Sequence, residues 1–336
     1  MNRLSVVFTA PSQVSVSEEA LPELAPDQVL VQTLVSAISP GTELLVYRGQ
    51  FPEDLPVDES IPSLAGEFRY PLRYGYSAVG RVVAAGSQVD PGWEGRLVFA
   101  FQPHSSHFLA VPQELMVVPA DIQPDEAAFL PNMETAVNLV MDGAPLVGER
   151  VAVFGQGVVG QLTTALLAQF PLASLVTLDR YPLRRDASLE GGASASLDPE
   201  APDALEQLRL RQPGGADLVY ELSGSPAALD QAIAATAYSG RVVVGSWYGS
   251  KRVALDLGGR FHRSRIRLIS SQVSSLAPEL SGRWTKGRRF EVAWTMVRRV
   301  RPRRLITHRL PLSEAPRAYR LLDESPEEAI QVLFEY

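Results

Sequence analysis

An apolar run that ends in three spaced glycines and then turns helical leaves a chain few ways to fold. Here that run sits near the middle: Val151-Ala-Val-Phe-Gly155-Gln-Gly157-Val-Val-Gly160. A helix-like segment follows from Leu162 to Phe170, and a second apolar segment, Ser174 to Leu178, ends in Asp179. Strand, Gly-x-Gly-x-x-Gly, helix, strand and a distal acid form the signature of a βαβ unit that cradles a dinucleotide. Gly155 permits the tight turn, Gly157 lets the backbone approach a pyrophosphate, and Gly160 lets helix and strand close together. The helix N-terminus carries partial positive charge toward that pyrophosphate, and Val158 of the glycine turn is counted among the cofactor-binding residues. The bland alternative is a glycine turn with no ligand. The strand before, the helix after and the acid beyond argue against it.

Asp179 bears on which dinucleotide. A carboxylate at the end of the second strand accepts hydrogen bonds from a ribose 2′-hydroxyl and repels a 2′-phosphate. NAD(H) is therefore the expected cofactor. Arg180 follows directly and offers a cation for a phosphate, so NADP(H) stays open.

At 336 residues the chain is long enough for two domains with separate cores. It contains no cysteine, which excludes disulfides, thiolate metal sites and a cysteine nucleophile. A net charge of −7 argues against nucleic acid as the main partner. No apolar run reaches the roughly 18 residues of a membrane span. The N-terminal residues read as a strand and not as a signal peptide, so a cytoplasmic location is expected.

Before the glycine motif the chain reads as short strands punctuated by Pro and Gly, for example from Gln28, Ala78 and Gly95. This is an all-β, barrel-like region. Residues 47–75, rich in Pro and acids, read as a long loop over a site. From Glu126 helical spacing sets in, with Ala127, Leu130, Met133, Val137 and Val140 on one face. After Asp179, strands from Ala216, Gly240 and Arg267 alternate with helical segments, including one from Pro226 to Ala237. That alternation implies a doubly wound parallel sheet. The C-terminal elements, a strand near 304–310, a helix near 313–322 and a strand near 329–334, break the alternation and read as a return to the first domain. The expected division is 1–131 with 271–336, and 132–270. The Arg-rich stretch from Arg283 to Arg304 reads as a solvated helix face with an apolar stripe of Phe290, Trp294 and Val297. Attraction of an anionic substrate is the alternative.

Several segments carry a family likeness. Ser36-Ala-Ile-Ser-Pro-Gly-Thr-Glu43, Arg73-Tyr-Gly-Tyr-Ser-Ala-Val-Gly-Arg-Val, Ala127-Ala-Phe-Leu-Pro-Asn-Met-Glu-Thr-Ala and Leu305-Ile-Thr-His-Arg-Leu-Pro-Leu-Ser-Glu-Ala are examples. Together with the central glycine motif they resemble the medium-chain dehydrogenase/reductase superfamily along nearly the whole chain. That resemblance implies a GroES-like β-barrel catalytic domain joined to a Rossmann domain. It places Ser223 near the adenosine side of the cofactor. Gly245 and Ser246 fall beside the nicotinamide, and Ser270 to Gln272, with Ser271 at the centre, near its carboxamide. It implies a small-molecule substrate and a homodimer or homotetramer, with Arg241 to Val244 as a possible joining strand. The segments around Ser36–Glu43, Gly245 and Ser270 are also similar to dehydrogenases of the bacteriochlorophyllide hydroxyethyl type.

The likeness breaks at the metal. Zinc-dependent members hold catalytic zinc through three positions that here fall on Pro40 (or Ser39), Tyr76 and Pro131, and the cysteine-rich lobe for structural zinc is missing. No zinc is expected. His104 and His107 lie close together but lack further obvious ligands. A hydride-transfer enzyme without zinc needs another donor for the developing alkoxide. Tyr76 stands at a ligand position, Thr42 at the family's proton-relaying hydroxyl, and His104 could pass a proton to solvent near neutral pH. Each has a plain packing or capping alternative. Arg48, Arg69 or Arg73 could lower the phenol pKa, and Glu43 and Glu134 are expected to hold loops or pair with Arg. Three functions follow: a zinc-independent NAD(H)-linked dehydrogenase acting on a secondary alcohol or ketone, a zinc-free enoyl or quinone reductase acting on C=C, and a non-catalytic nucleotide-binding regulator.

Overall fold

The structure is a computed structural model that describes residues 2–52 and 61–336. Part of the expected loop over 47–75, residues 53–60, lies outside the described residues. The chain opens with β1 (Asn2–Ala10), β2 (Gln13–Ala20), β3 (Val29–Ala37), α1 (Pro40–Tyr47), β4 (Ala78–Ala85), β5 (Leu97–Ala100), β6 (His107–Ala110) and β7 (Met116–Val117). Next come α2 (Pro124–Ala127), α3 (Leu130–Gly143), β8 (Arg150–Phe154), α4 (Val158–Leu167), β9 (Ser174–Leu178), α5 (Pro182–Glu190), β10 (Ala195–Leu197) and α6 (Ala204–Arg211). After these lie β11 (Ala216–Glu221), α7 (Pro226–Ala235), β12 (Thr236–Val244), β13 (Arg267–Ser270) and α8 (Lys286–Val300). The chain ends in β14 (Ile306–Pro311), α9 (Ala315–Glu324) and β15 (Gln331–Glu335).

Two compact units result: residues 1–131 with 301–336, and residues 132–300. In the first, β14, β15, β3, β4, β5 and β7 hydrogen-bond in that order, and β6 also pairs with β3. β3 manages three partners because its residues 29–32 meet β6 while its end at 35–37 meets β15. A strand shared in this way curls the sheet toward a barrel. Its inward residues Val29 and Val31 join Val82, Val98 and Phe108 in one core. A second core gathers Phe8, Tyr47, Tyr319 and Phe334 from β1, α1, α9 and β15. The C-terminal segment is thus part of this unit's core.

In the second unit six parallel strands run in the order β10-β9-β8-β11-β12-β13. The chain starts at β8, winds outward through β9 and β10, then returns to wind the other way through β11, β12 and β13. That reversal between β8 and β11 is the switch point where doubly wound sheets bind ligands. Side chains alternate across the strand. Val151 and Val153 pack with Leu139 of α3 and Leu167 of α4, while Ala152 and Phe154 face Leu208 of α6 and Ile233 of α7. Both faces are covered, which is why β8 reads as a continuous apolar run.

Two expectations change here. Residues 271–300, grouped with the barrel from sequence, pack with the nucleotide unit. The reason is α8: its stripe of Phe290, Ala293, Trp294 and Val297 is buried, and so is Arg289. Arg241 to Val244 is also not a free joining strand, since it pairs with β11 on one side and β13 on the other. Among the described residues no helix is long and apolar enough to cross a membrane.

Arg241 ties the sheet's amino-terminal edge to α3. Its guanidinium meets Glu149 through two bonds of 2.7 and 2.8 Å and donates to the carbonyls of Gly143 and Ala144. Burial opposes ionisation of Glu149, but bonds from Arg241 and the Leu146 amide and the Arg241 charge outweigh it, and its pKa falls below the ordinary 4.5. A depressed carboxylate stabilises the fold above its ordinary pKa and loses that contribution as pH drops below it. Arg241→Met should therefore cost about 2 kcal/mol at neutral pH, because it strands a carboxylate and two carbonyls. Urea unfolding at pH 7 and near pH 3.5 is the check, and the difference between variant and wild type should shrink at the lower pH.

Candidate functional site

The turn after β8 is built by exclusion of side-chain volume. Gly155 has φ +89°, and a Cβ there would lie 2.5 Å from the Ser223 amide nitrogen. A Cβ on Gly160 would lie 2.0 Å from the Gly155 carbonyl oxygen, so α4 closes on its own turn only without one. At Gly157 a Cβ would meet nothing within 4 Å. The middle glycine thus borders open space, as a backbone that receives a ligand must. No side chain caps the start of α4 at Val158, leaving its first amides to an outside acceptor. Gln156 points the other way, its Oε1 accepting from Thr164 on the buried side of α4 (3.1 Å). The residues present fit a bound pyrophosphate.

Asp179 is buried at the end of β9 and ties that strand to the turn. Its Oδ2 accepts from the Gln156 amide (2.7 Å) and its Oδ1 from the Tyr181 amide (2.9 Å). A carboxylate has about four lone-pair sites, so each oxygen keeps capacity for a ribose hydroxyl. Arg180 and Arg184 lie over the Tyr181 ring at 4.7 and 4.8 Å, and Arg180 is 3.7 Å from Glu200. The expected cation is therefore in place but engaged with a ring and an acid.

The loop after β11 meets the same turn, and the loop after β12 meets that loop in its turn. Glu221, fully buried, is an organiser that sequence reasoning did not single out. It accepts from the Ser223 amide (2.7 Å), the Ser223 hydroxyl (2.5 Å), the Gly224 amide (3.1 Å) and the Tyr248 hydroxyl (2.8 Å). Ser246 accepts from the Gly224 amide (2.8 Å), and a Cβ on Gly245 would strike Leu139 and Leu222. Ser223, Gly245 and Ser246 thus stand together at the carboxyl edge of the sheet. Ser271, just past β13, has its hydroxyl committed: it donates to Asp142 (2.6 Å) and accepts from Asn138 (3.0 Å).

In the barrel unit the structure joins two of the three proposed proton-transfer residues. The Tyr76 hydroxyl donates to the Thr42 hydroxyl at 3.3 Å. Thr42 lies in the first turn of α1, which Pro40 opens, and Tyr76 sits just before β4, edge-on to Tyr74. His104 is elsewhere in the network and is wholly buried. Its Nδ1 pairs with the Ser36 hydroxyl (2.7 Å) and its Nε2 with Glu43 (3.0 Å). A direct hand-off to solvent does not fit that burial. Glu43 also accepts from the Ser39 amide (2.7 Å) and the Tyr319 hydroxyl (2.5 Å), and Ser36 meets Tyr336 (2.7 Å). Burial and the neighbouring Glu43 push the Tyr319 phenol well above its ordinary pKa. The arginines considered for Tyr76 hold other partners: Arg48 pairs with Asp323, Arg69 with Glu67 and Arg73 with Glu19.

The family's zinc does not fit this donor set. Pro40 and Pro131 carry no side-chain donor, Ser39 (the alternative to Pro40) offers only a neutral hydroxyl, and Tyr76 is bonded to Thr42. Among the described residues no cluster of three His, Cys, Asp or Glu side chains could hold a metal ion. His107 turns to the Ser106 hydroxyl (3.1 Å) rather than joining His104.

Comparison with known proteins accords with this architecture. The family model described as zinc-binding dehydrogenase matches residues 158–286. A D-guloside 3-dehydrogenase of Escherichia coli K12 is 24% identical over 97% of this chain and 98% of its own. Among solved structures, a zinc-binding dehydrogenase of Sinorhizobium meliloti bound to NADP is 22% identical, with a TM-score of 0.77 over the full length of both chains. An alcohol dehydrogenase of E. coli CFT073 complexed with NADH is 17% identical with a TM-score of 0.80, covering 100% of this chain and 99% of its own. With its barrel, its switch-point glycine turn and its C-terminal return, the chain shares the fold of these dehydrogenases, and its residues 158–286 match the zinc-binding dehydrogenase family model.

Proposed function

We propose that this protein transfers hydride between NAD(H) and a secondary alcohol or ketone of small size, without zinc. The observation that carries the reading is the Tyr76–Thr42 hydroxyl pair at the family's metal-ligand and proton-relay positions. When bound, the nicotinamide supplies or accepts the hydride. In the direction of reduction, the carbonyl oxygen gains negative charge and must receive a proton. Tyr76 donates that proton, and the Thr42 hydroxyl turns to donate a hydrogen bond to the phenolate until a solvent proton restores the phenol. A phenolic hydroxyl carries a proton it can donate, which suits Tyr76 to the acid role. His104, Glu43 and Ser36 support α1 from beneath, holding Thr42 in register. The pyrophosphate rests on Gly155, Gly157, Val158 and Gly160, and Asp179 takes the adenosine ribose.

Tyr76→Phe should lower turnover by about 10² to 10⁴ while leaving NADH affinity near that of wild type. Steady-state kinetics on a panel of ketones, with NADH titration alongside, decide it, and unchanged turnover would remove Tyr76 from the mechanism. Prolonged treatment with a strong chelator should leave activity intact, and elemental analysis of active protein should find no stoichiometric zinc. Zinc at one equivalent with chelator-sensitive activity would defeat the zinc-free reading. Asp179→Ser should weaken NADH about tenfold, the scale of a lost hydrogen bond to a charged group, and improve NADPH relative to it. If wild type prefers NADPH, the assignment of Asp179 is wrong.

A further inference from the structure

Arg289 occupies α8 amid a run of arginines, yet its side chain is wholly buried. All five of its N–H donors have acceptors. Nε and Nη2 converge on Glu134 Oε1 at 3.1 and 2.8 Å. Nη1 reaches Asn138 Oδ1 at 2.5 Å and the Ser275 carbonyl at 3.0 Å, and Nη2 also reaches the Val273 carbonyl. Asn138 then directs its amide nitrogen to Asp142 (2.9 Å) and to Ser271 (3.0 Å). One guanidinium thus joins α8, α3 and the segment 271–275.

That segment leaves the carboxyl end of β13, the last strand of the sheet, and adopts neither helix nor strand. Ligands of doubly wound sheets sit outside those carboxyl ends, one mononucleotide to each half. Asp179 marks the half built on β8, β9 and β10 as the ribose side of the adenosine. The segment 271–275 therefore borders the other half, which takes the nicotinamide. Its Ser271 amide bonds to Val244 (3.0 Å), and Arg289 holds two of its carbonyls. An apolar side chain of similar size could fill such a core position at least as stably, so a buried arginine with every donor used points to a positional task.

We propose that Arg289, working through Asn138 and the carbonyls of Val273 and Ser275, is a positioning residue that sets segment 271–275 against the nicotinamide half of the bound cofactor. This deepens the dinucleotide reading above and rests on it. The test is calorimetric titration of wild type and Arg289→Gln with NADH and with ADP-ribose, which carries the adenosine and pyrophosphate but no nicotinamide. The expected result is NADH weakened about tenfold, the scale of a lost charged hydrogen bond, with ADP-ribose bound as in wild type. A purely structural role would weaken both ligands together, and an idle residue would weaken neither; each result overturns the proposal. Should Arg289→Gln fail to fold, Asn138→Ala is titrated by the same criterion. If wild type binds neither ligand, the dinucleotide reading itself falls and takes the proposal with it. Wild type that binds both isolates any failure to Arg289.

Discussion

The contact between the start of α4 and the turn before it governs the nucleotide unit. The Gly155 carbonyl lies so near Gly160 that any Cβ there would overlap it. Gly155 is in turn pressed against the Ser223 backbone. These approaches bring the ends of β8 and β11 together and aim the uncapped amides of α4 at the switch point between them. Asp179, clamped by the Gln156 amide, locks β9 to the same turn. Three strand ends are thus referenced to one short stretch of backbone. Such a stretch receives a phosphate at little cost in reorganisation, because its amides are already oriented.

Each unit also carries a buried polar network, and the two have different jobs. In the barrel, Glu43 gathers a backbone amide, a phenol and an imidazole, and the imidazole continues to Ser36 and Tyr336. In the nucleotide unit, Arg289 and Glu134 form an ion pair inside the core. Burial raises the Glu134 pKa, and the Arg289 charge and hydrogen bond oppose that rise. Buried ion pairs are poor sources of stability, since desolvation consumes most of the Coulombic gain. Their value lies in geometry: a fully satisfied network admits one arrangement and penalises the rest. Glu43 orders the loop that leads into Thr42, and Arg289 orders the loop that leaves β13.

The architecture was legible because its signals are local. A period of two, a period of 3.6, three glycines and a terminal acid can all be read from adjacent residues, and they placed β8, α4, β9 and Asp179 to within a few positions. The helix expected from Leu162 starts earlier, at Val158, because glycine at the turn permits helical backbone directly. Arg289 was hidden for the opposite reason. Inside a basic stretch it reads as solvated, and only its spacing of four from Ala293 and eight from Val297 set it on the apolar stripe. Glu221 carried no signal, since an acid at a strand end looks the same whether it organises four donors or none. His104 read either as a proton path to solvent or as a surface or structural residue, and it is core.

By itself the sequence determined that a dinucleotide-type βαβ unit lies at the centre of the chain. It also determined that a β-rich unit flanks it on both sides, and by resemblance it set Pro40 (or Ser39), Tyr76 and Pro131 at the family's zinc positions. These follow from residue type and spacing, which need no partner. Only the tertiary structure decided which polar groups are satisfied and by whom: Tyr76 with Thr42, His104 between Ser36 and Glu43, and Arg289 with Glu134 and Asn138. Those partners lie 34 to 155 residues apart in the chain. A hydrogen bond acts over about 3 Å, so no pattern along the sequence encodes it until the fold brings its two ends together.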